Sequence, residues 1–142
     1  MTIESLIRQI PEPDIHAQQE AEQRWDSLAK LPGSLGELER VVIRLAGIQH
    51  TAHPQLNKKR TLVFCADNGV LAEQVSPSAQ TVTAAQAVNF ARGGGTINVF
   101  SRAVGAQVVV IDVGIACPYE EPLVVNRKIR PGTANIALQP AM

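Results

Sequence analysis

The feature that most constrains the fold is an apolar run that ends in an acidic residue and a glycine. Residues 61–65 (TLVFC) lead through Ala66 into Asp67-Asn68-Gly69, and a long polar loop follows. The pattern recurs where residues 107–111 (QVVVI) lead into Asp112-Val113-Gly114. A continuous apolar run of this length is typical of a strand that is buried on both faces of a parallel sheet. The sequence therefore predicts two such strands, near residues 61–66 and 107–113.

The segment between the two runs has helical character. Residues 81–92 predict a helix that packs through Val82, Ala85 and Phe90, and three glycines follow it. A second helix is expected from Thr96 to a terminating Gly105, with Phe100 among its core residues. Strand, helices and strand in succession indicate a parallel crossover. We therefore expect an α/β fold, a Rossmann-like parallel sheet with flanking helices, and a shorter third strand at residues 123–126.

The first part of the chain predicts helices only. Residues 5–10 and 14–30 predict two helices, with Asp14 as the cap of the second. Ser34 and Glu37 have the spacing of a capping box, which predicts a third helix that ends at about Gln49. The expected organisation is an N-terminal helical segment over residues 1–56 and a partial α/β domain over residues 57–142.

Composition narrows the class of protein. The 142 residues include 13 basic and 13 acidic ones. The densest basic cluster, residues 57–60, directly precedes a predicted strand and is interpreted as its solvated entrance, so nothing indicates nucleic acid as a partner. No apolar stretch is long enough to span a membrane, and no signal sequence begins the chain, so we expect a cytoplasmic protein with no membrane partner. Cys65 and Cys117 lack the spacing of a metal site or a disulfide framework. No metal and no cofactor is expected.

The ends of the two predicted strands are the first candidate site. Ligands of open α/β sheets bind outside the carboxyl ends of the strands, which makes Asp67, Asn68 and Gly69 candidate binding residues. The same residue types are also favoured in ordinary turns, and the sequence alone leaves both interpretations open. The three glycines at residues 93–95 lack the spacing of a phosphate-binding loop.

Two uncharged polar residues extend the candidate site beyond the first strand. Ser78 lies in the polar loop and Gln86 in the helix that follows it. Each side chain can form a hydrogen bond to a small ring nitrogen without carrying charge. Ser78 is not set in a Gly-x-Ser-x-Gly elbow, so a role as nucleophile is not indicated. No residue is assigned a catalytic role.

Several segments together resemble one enzyme family. In the family's order they are residues 32–39, 65–70, 82–86, 89–90 with the glycines that follow, 110–115, and 132–136 leading to 140–142. The chain resembles the N-terminal part of the nicotinate-nucleotide–dimethylbenzimidazole phosphoribosyltransferases, which act in cobalamin nucleotide-loop assembly. The resemblance implies transfer of phosphoribose from nicotinate mononucleotide to dimethylbenzimidazole, and these two small molecules as partners. It matches Ser78 and Gln86 to the serine and glutamine of the family's benzimidazole pocket.

The chain also departs from the family. The family usually has His where Asn68 stands, and asparagine does not titrate near neutral pH. The family's general base, a glutamate near its C-terminus, has no counterpart here, so we expect a truncated chain that is inactive alone. The alternative is a non-catalytic module that binds an azole base, or a subunit that completes a site with another chain. Because a thin sheet exposes its edges, we expect a homodimer or association with a complementary chain.

Overall fold

The computed structural model describes residues 2–142 and divides into two compact units, Met1–Asn57 and Lys58–Met142. The first unit is helical, with α1 at Ile3–Ile7, α2 at Ile15–Ser27 and α3 at Glu37–Gln49. Helices α2 and α3 pack against each other, and small side chains fill the contact: Ala17, Ala21 and Ala46 are buried.

The starts of α2 and α3 differ in how they follow the sequence. Asp14 caps the start of α2 as predicted, since its carboxylate accepts the backbone N–H of Ala17 at 3.0 Å. The predicted Ser34–Glu37 capping box is wrong, since α3 begins after Gly36 without a side-chain cap. Instead the Glu39 carboxylate accepts the backbone N–H of Leu35 at 3.1 Å and forms an ion pair with Lys30. Gly36 has a φ of 55°, and this left-handed turn, rather than a serine hydroxyl, sets the helix entrance.

The second unit contains the predicted parallel sheet. Its strands are β1 at Lys59–Ala66, β2 at Ala106–Gly114 and the short β3 at Val125–Asn126, in the order β1-β2-β3 with every pair parallel. Two helices, α4 at Thr81–Ala91 and α5 at Thr96–Ala103, connect β1 to β2. A 3₁₀ turn at Gly69–Glu73 follows β1 directly. The α/β class, the two long strands and the third strand are confirmed.

Both connecting helices lie on one face of this sheet. The buried apolar residues there are Cys65, Ala84, Ala87, Val110, Ile115 and Val124. The expected packing of α4 is partly wrong, because Val82 and Ala85 are exposed while two other alanines face the strands. Alanine has no side chain beyond Cβ, so it lets a helix lie close to a sheet. Phe90 packs against this core as predicted.

Helix α5 reverses the usual arrangement of polar and apolar residues. Asn98 and Ser101 are buried, whereas Phe100 is 68% exposed. The Asn98 side chain accepts the Gly95 N–H at 3.1 Å and donates to the Phe90 carbonyl at 2.9 Å. The Ser101 hydroxyl lies 2.9 Å from the Thr61 hydroxyl of β1. Buried polar groups are tolerated when they are hydrogen-bonded. The prediction that Phe100 belongs to the core is therefore wrong for this chain.

Within residues 58–142, no element covers the opposite face of the sheet. Leu62 and Phe64 of β1 are 53% and 63% exposed, and Val125 of β3 is 37% exposed. Alternate residues of a strand point to opposite faces, so these side chains point away from the face that α4 and α5 cover. The prediction that β1 is buried on both faces is wrong for these residues. The uncovered apolar face is still what a central strand of a larger parallel sheet requires.

The corrected packing of α4 predicts different costs for two neighbouring substitutions. Ala87→Leu adds a large side chain where Ala87 is fully buried, and should lower the free energy of unfolding by about 1–3 kcal/mol through overpacking. Ala85→Leu places the same side chain in an exposed position and should change it by less than about 0.5 kcal/mol. Chemical denaturation of both variants measures the difference, and equal costs would contradict the observed orientation of α4.

Candidate functional site

A cleft of about 270 Å³ opens at the carboxyl end of β1. Its walls come from the end of the strand, the 3₁₀ turn, the polar loop and the first turn of α4. The lining residues are Ala66, Asp67, Asn68, Val70, Leu71, Val75, Ser76, Ser78, Ala79, Gln80, Val82 and Thr83. This volume lies just below the usual range for ligand sites, about 300–1,000 Å³, and suits one small ring compound.

Three of the five predicted binding residues line this cleft. Asp67 and Asn68 come from the strand end and Ser78 from the loop. Gln86 lies outside the lining on α4, where its side chain is exposed. It is three positions beyond Thr83, which does line the cleft, so both lie on the same side of the helix one turn apart. Contact between Gln86 and a ligand stays a prediction.

Asp67 is held in the protein framework. The residue is 4% exposed, and its carboxylate accepts the backbone N–H of Ala116 at 2.7 Å. Its own backbone N–H donates to the Gly114 carbonyl at 3.0 Å, and its carbonyl accepts the Thr133 N–H at 3.0 Å. The carboxylate thus ties the end of β1 to the loop that follows β2. Whether it also contacts a ligand stays a prediction.

Gly69 lies against the backbone of a later segment. Its N–H donates to the Thr133 hydroxyl at 3.1 Å. A Cβ atom added at Gly69 would lie 2.5 Å from the Thr133 carbonyl oxygen, which no side chain tolerates without a shift of backbone. Glycine is therefore required here by close backbone approach. This requirement is distinct from the ligand-binding role that the sequence suggests.

Asp112, near the end of β2 and beside Cys65 in the sheet, has a fuller set of partners than Asp67. It is 1% exposed, and one carboxylate oxygen accepts the backbone N–H groups of Gly114 at 2.9 Å and Ile115 at 2.8 Å. The other oxygen accepts the Tyr119 hydroxyl at 2.8 Å and lies 3.2 Å from the Lys128 ammonium. Nothing in the sequence spacing indicates that Tyr119 and Lys128 converge on Asp112, because both lie in irregular segments.

These contacts decide the charge of the cluster. Burial works against ionisation of Asp112, but the hydrogen bond from Ile115, with those from Tyr119 and Lys128, outweighs it and lowers the carboxyl pKa. Burial and the hydrogen bond to Asp112 raise the pKa of Tyr119 to about 12. Asp112 is therefore ionised and Tyr119 neutral at physiological pH. The stabilisation from Asp112 is present above its unfolded pKa of about 3.9 and is lost as the pH falls through the lower folded value.

The buried thiol of Cys65, near these carboxylates, is a poor candidate for a nucleophile. Burial, with added repulsion from Asp112 and Asp67, raises the pKa of Cys65, and a protonated thiol is a poor nucleophile. Within residues 2–142, no group of three or more His, Cys, Asp or Glu side chains could hold a metal ion. No helix in the same range is both long and apolar enough to cross a membrane.

The chemistry of the cleft is that of a neutral binding site. Asp67 is the only charged residue in its lining, and its carboxylate is turned to Ala116. The remaining polar side chains are hydroxyls and amides, which donate and accept hydrogen bonds without proton transfer near neutral pH. Val70 and Leu71 supply apolar contact. Such a lining suits an uncharged heteroaromatic ring.

Comparison with known proteins identifies the family. The family model described as phosphoribosyltransferase (DBI_PRT) matches residues 10–142. The chain belongs to this family. A nicotinate-nucleotide–dimethylbenzimidazole phosphoribosyltransferase of Ruminiclostridium cellulolyticum is 45% identical over all 142 residues, and the enzyme of that name from Salmonella gallinarum is 46% identical over 99% of this chain.

A solved structure agrees with these sequence matches. The crystal structure of the Thermus thermophilus enzyme of the same name superposes with a TM-score of 0.82, at 44% identity, over 91% of this chain and 39% of that one. The chain spans 40% of the length of the two curated relatives. The family resemblance and its partial extent are therefore both confirmed.

The Asp112 cluster predicts a measurable shift at the only tyrosine of the chain. Asp112→Asn removes the negative charge beside the phenol, so the Tyr119 pKa should fall from about 12 towards the ordinary value near 10. At about pH 10.5, phenolate absorbance should be small in the wild-type chain and clearly larger in the variant. Asp67→Asn, which leaves the Tyr119 contact intact, serves as the control. Equal absorbance in the wild-type and Asp112→Asn chains would contradict this assignment.

Proposed function

We propose that the cleft binds the acceptor base in the transfer of phosphoribose from nicotinate mononucleotide to dimethylbenzimidazole. The observation that carries the proposal is the placement of Ser78 in an almost uncharged cleft at the carboxyl end of β1. Parallel α/β sheets bind ligands at this end. Membership of the phosphoribosyltransferase family supplies the reaction class, and the names of the relatives supply the two substrates.

In the proposed reaction, a ring nitrogen of dimethylbenzimidazole attacks the anomeric carbon of the ribose. The new carbon–nitrogen bond forms as the bond to nicotinate breaks, nicotinate leaves with the bonding electrons, and the other ring nitrogen gives up its proton. Ser78 and Gln86 hydrogen-bond the base and set its orientation, and Val70 and Leu71 contact its ring. Asn68 does not take up the proton, because an amide does not titrate near neutral pH.

We propose that the group that accepts this proton belongs to the portion of the relatives that this chain does not match. The one carboxylate in the cleft lining, Asp67, is 4% exposed and accepts a backbone hydrogen bond. One of its oxygens is already committed to the Ala116 N–H and the residue is almost fully buried, so it is poorly placed to act as a base. The relatives extend over more than twice the matched span. We therefore expect residues 1–142 alone to bind the base without catalysing the transfer.

The uncovered side of the sheet supports association with those further residues. Strand β1 pairs only with β2, so its other edge has no strand partner within the described residues. Leu62 and Phe64 are exposed on the uncovered face beside that edge. An apolar face and a free edge of this kind favour further sheet or helical layers. We propose that the remaining length of the family covers them, in the same polypeptide or in a complementary one, and a homodimer is the competing occupant.

Calorimetric titration with dimethylbenzimidazole tests the base site. The wild-type chain should release or absorb heat, and Ser78→Ala and Gln86→Ala should each weaken binding by about three- to tenfold through loss of one hydrogen bond. Gln23→Ala, which removes an exposed glutamine from the helical unit, should leave the affinity unchanged. A folded chain that gives no heat, or equal affinity in all variants, would refute the proposed base site.

Complementation tests the origin of the catalytic groups. Adding the part of the Thermus relative that this chain does not match should produce transferase activity. Phe64→Glu should lower that activity at least about tenfold, because burying an unpaired charge on the sheet face is costly. Phe100→Glu makes the same change on α5, on the covered side of the sheet, and is the matched control. Activity of the chain alone, or equal loss in both variants, would contradict the proposal.

A further inference from the structure

The 3₁₀ turn that forms one wall of the cleft is attached at both ends to a distant segment. At its start, the Gly69 N–H donates to the Thr133 hydroxyl at 3.1 Å. At its end, the Asn135 side-chain amide donates to the Glu73 carboxylate at 2.6 Å. The residues between these attachments include Val70 and Leu71, which line the cleft. We name residues 132–135 the strap.

The strap is itself fixed to the ends of the two long strands. The Gly132 N–H donates to the Gly114 carbonyl at the end of β2, at 2.9 Å. The Thr133 N–H donates to the Asp67 carbonyl, just beyond β1, at 3.0 Å. Both bonds reach residues that are themselves buried. The strap therefore transmits the position of the sheet to the 3₁₀ turn.

The loop at residues 75–80, which forms another part of the cleft wall, lacks such attachment. Directly after the turn, Gln74 adopts a left-handed conformation with a φ of 57°, which is uncommon for a residue other than glycine. Within the described part of the chain, the only side-chain hydrogen bond in the loop at residues 75–80 is local, from the Ser78 N–H to the Ser76 hydroxyl. One wall is thus fixed by the strap, and the wall that carries Ser78 is free to adjust to a ligand.

We propose that Thr133 and Asn135 are positioning residues for ligand binding in the cleft. Neither lines the cleft, and each acts through the 3₁₀ turn. Thr133 fixes where the turn begins, and Asn135 fixes where it ends. The inference rests on the proposed function only for the identity of the ligand, since the hydrogen bonds that define the strap involve protein groups alone.

Two variants each remove one contact of the strap, and two control variants leave both contacts in place. Asn135→Asp keeps the carbonyl-type oxygen that accepts the Ala137 N–H, but it removes the donor and places a like charge beside Glu73. Thr133→Val removes the hydroxyl with little change in shape, and Thr133→Ser retains it. Gln139→Ala removes an exposed amide side chain four positions beyond Asn135 and is the matched control. Circular dichroism verifies that each variant is folded.

Two measurements test the positioning role of the strap separately from the proposed function. Amide hydrogen exchange over residues 69–73 reports the order of the turn, and calorimetry with dimethylbenzimidazole reports affinity. Asn135→Asp and Thr133→Val should each raise exchange about tenfold and weaken binding of the base about three- to tenfold, as expected for one lost hydrogen bond. Thr133→Ser and Gln139→Ala should match the wild-type chain in both measurements.

The outcomes are distinguishable. Unchanged exchange in Asn135→Asp and Thr133→Val would overturn the positioning role, as would raised exchange with undiminished affinity. Raised exchange in both variants, together with a wild-type chain that binds no base, would refute the proposed function and support the strap as the element that orders the cleft wall. Failure of Thr133→Ser to restore wild-type exchange would overturn the role of the Thr133 hydroxyl.

Discussion

Two buried carboxylates at the ends of adjacent parallel strands organise the part of the structure that matters for function. Asp67 after β1 and Asp112 in β2 are both almost fully buried. Each accepts backbone N–H groups where β2 passes into its following loop, at Ala116 for the first and at Gly114 and Ile115 for the second. A buried carboxylate is costly unless it is fully hydrogen-bonded. The loop after β2 therefore has little freedom to leave these positions, and the end of β1, which lines one part of the cleft, is fixed with it.

The same constraint explains why the cleft suits binding better than proton transfer. Asp67 is committed to the framework, which leaves hydroxyl and amide groups as the polar lining. The strap extends the framework from the strand ends to the 3₁₀ turn, while the loop that carries Ser78 is held only locally. The fixed 3₁₀ turn can contact the face of a flat ring through its apolar side chains. The adjustable loop can form hydrogen bonds to a nitrogen at the edge of that ring.

Sequence patterns predicted where the strands and helices form better than which side of each element faces the core. The strands and helices of the α/β unit were predictable because apolar runs and helical spacing are local properties. The burial of α5 was not, since Asn98 is satisfied by Gly95 and by a backbone carbonyl eight residues away, contacts that only the tertiary structure creates. The place of Ser78 in the cleft lining follows from its position in the polar loop after β1, which is visible in the sequence. Thr133 and Asn135 were missed as contributors because their partners lie more than 60 residues away in the sequence.

The exposed apolar side chains of β1 support the proposal that the remaining length of the family covers them. Within residues 58–142, no element covers the face of β1 that carries Leu62 and Phe64, and the relatives extend well beyond the matched span. The sequence therefore retains the features of a central strand in a larger sheet. Helix propensity and strand pattern alone cannot reveal this, because they report which face is apolar and not what covers it.

The central claim is that the cleft at the end of β1 holds the acceptor base while the carboxylate framework stays intact. A crystal structure of the chain with dimethylbenzimidazole tests it most directly. The account predicts the ring between Val70 and Ser78, with the Asp67 carboxylate still accepting the Ala116 N–H. A ring bound elsewhere, or an Asp67 that releases Ala116 to contact the base, would contradict it.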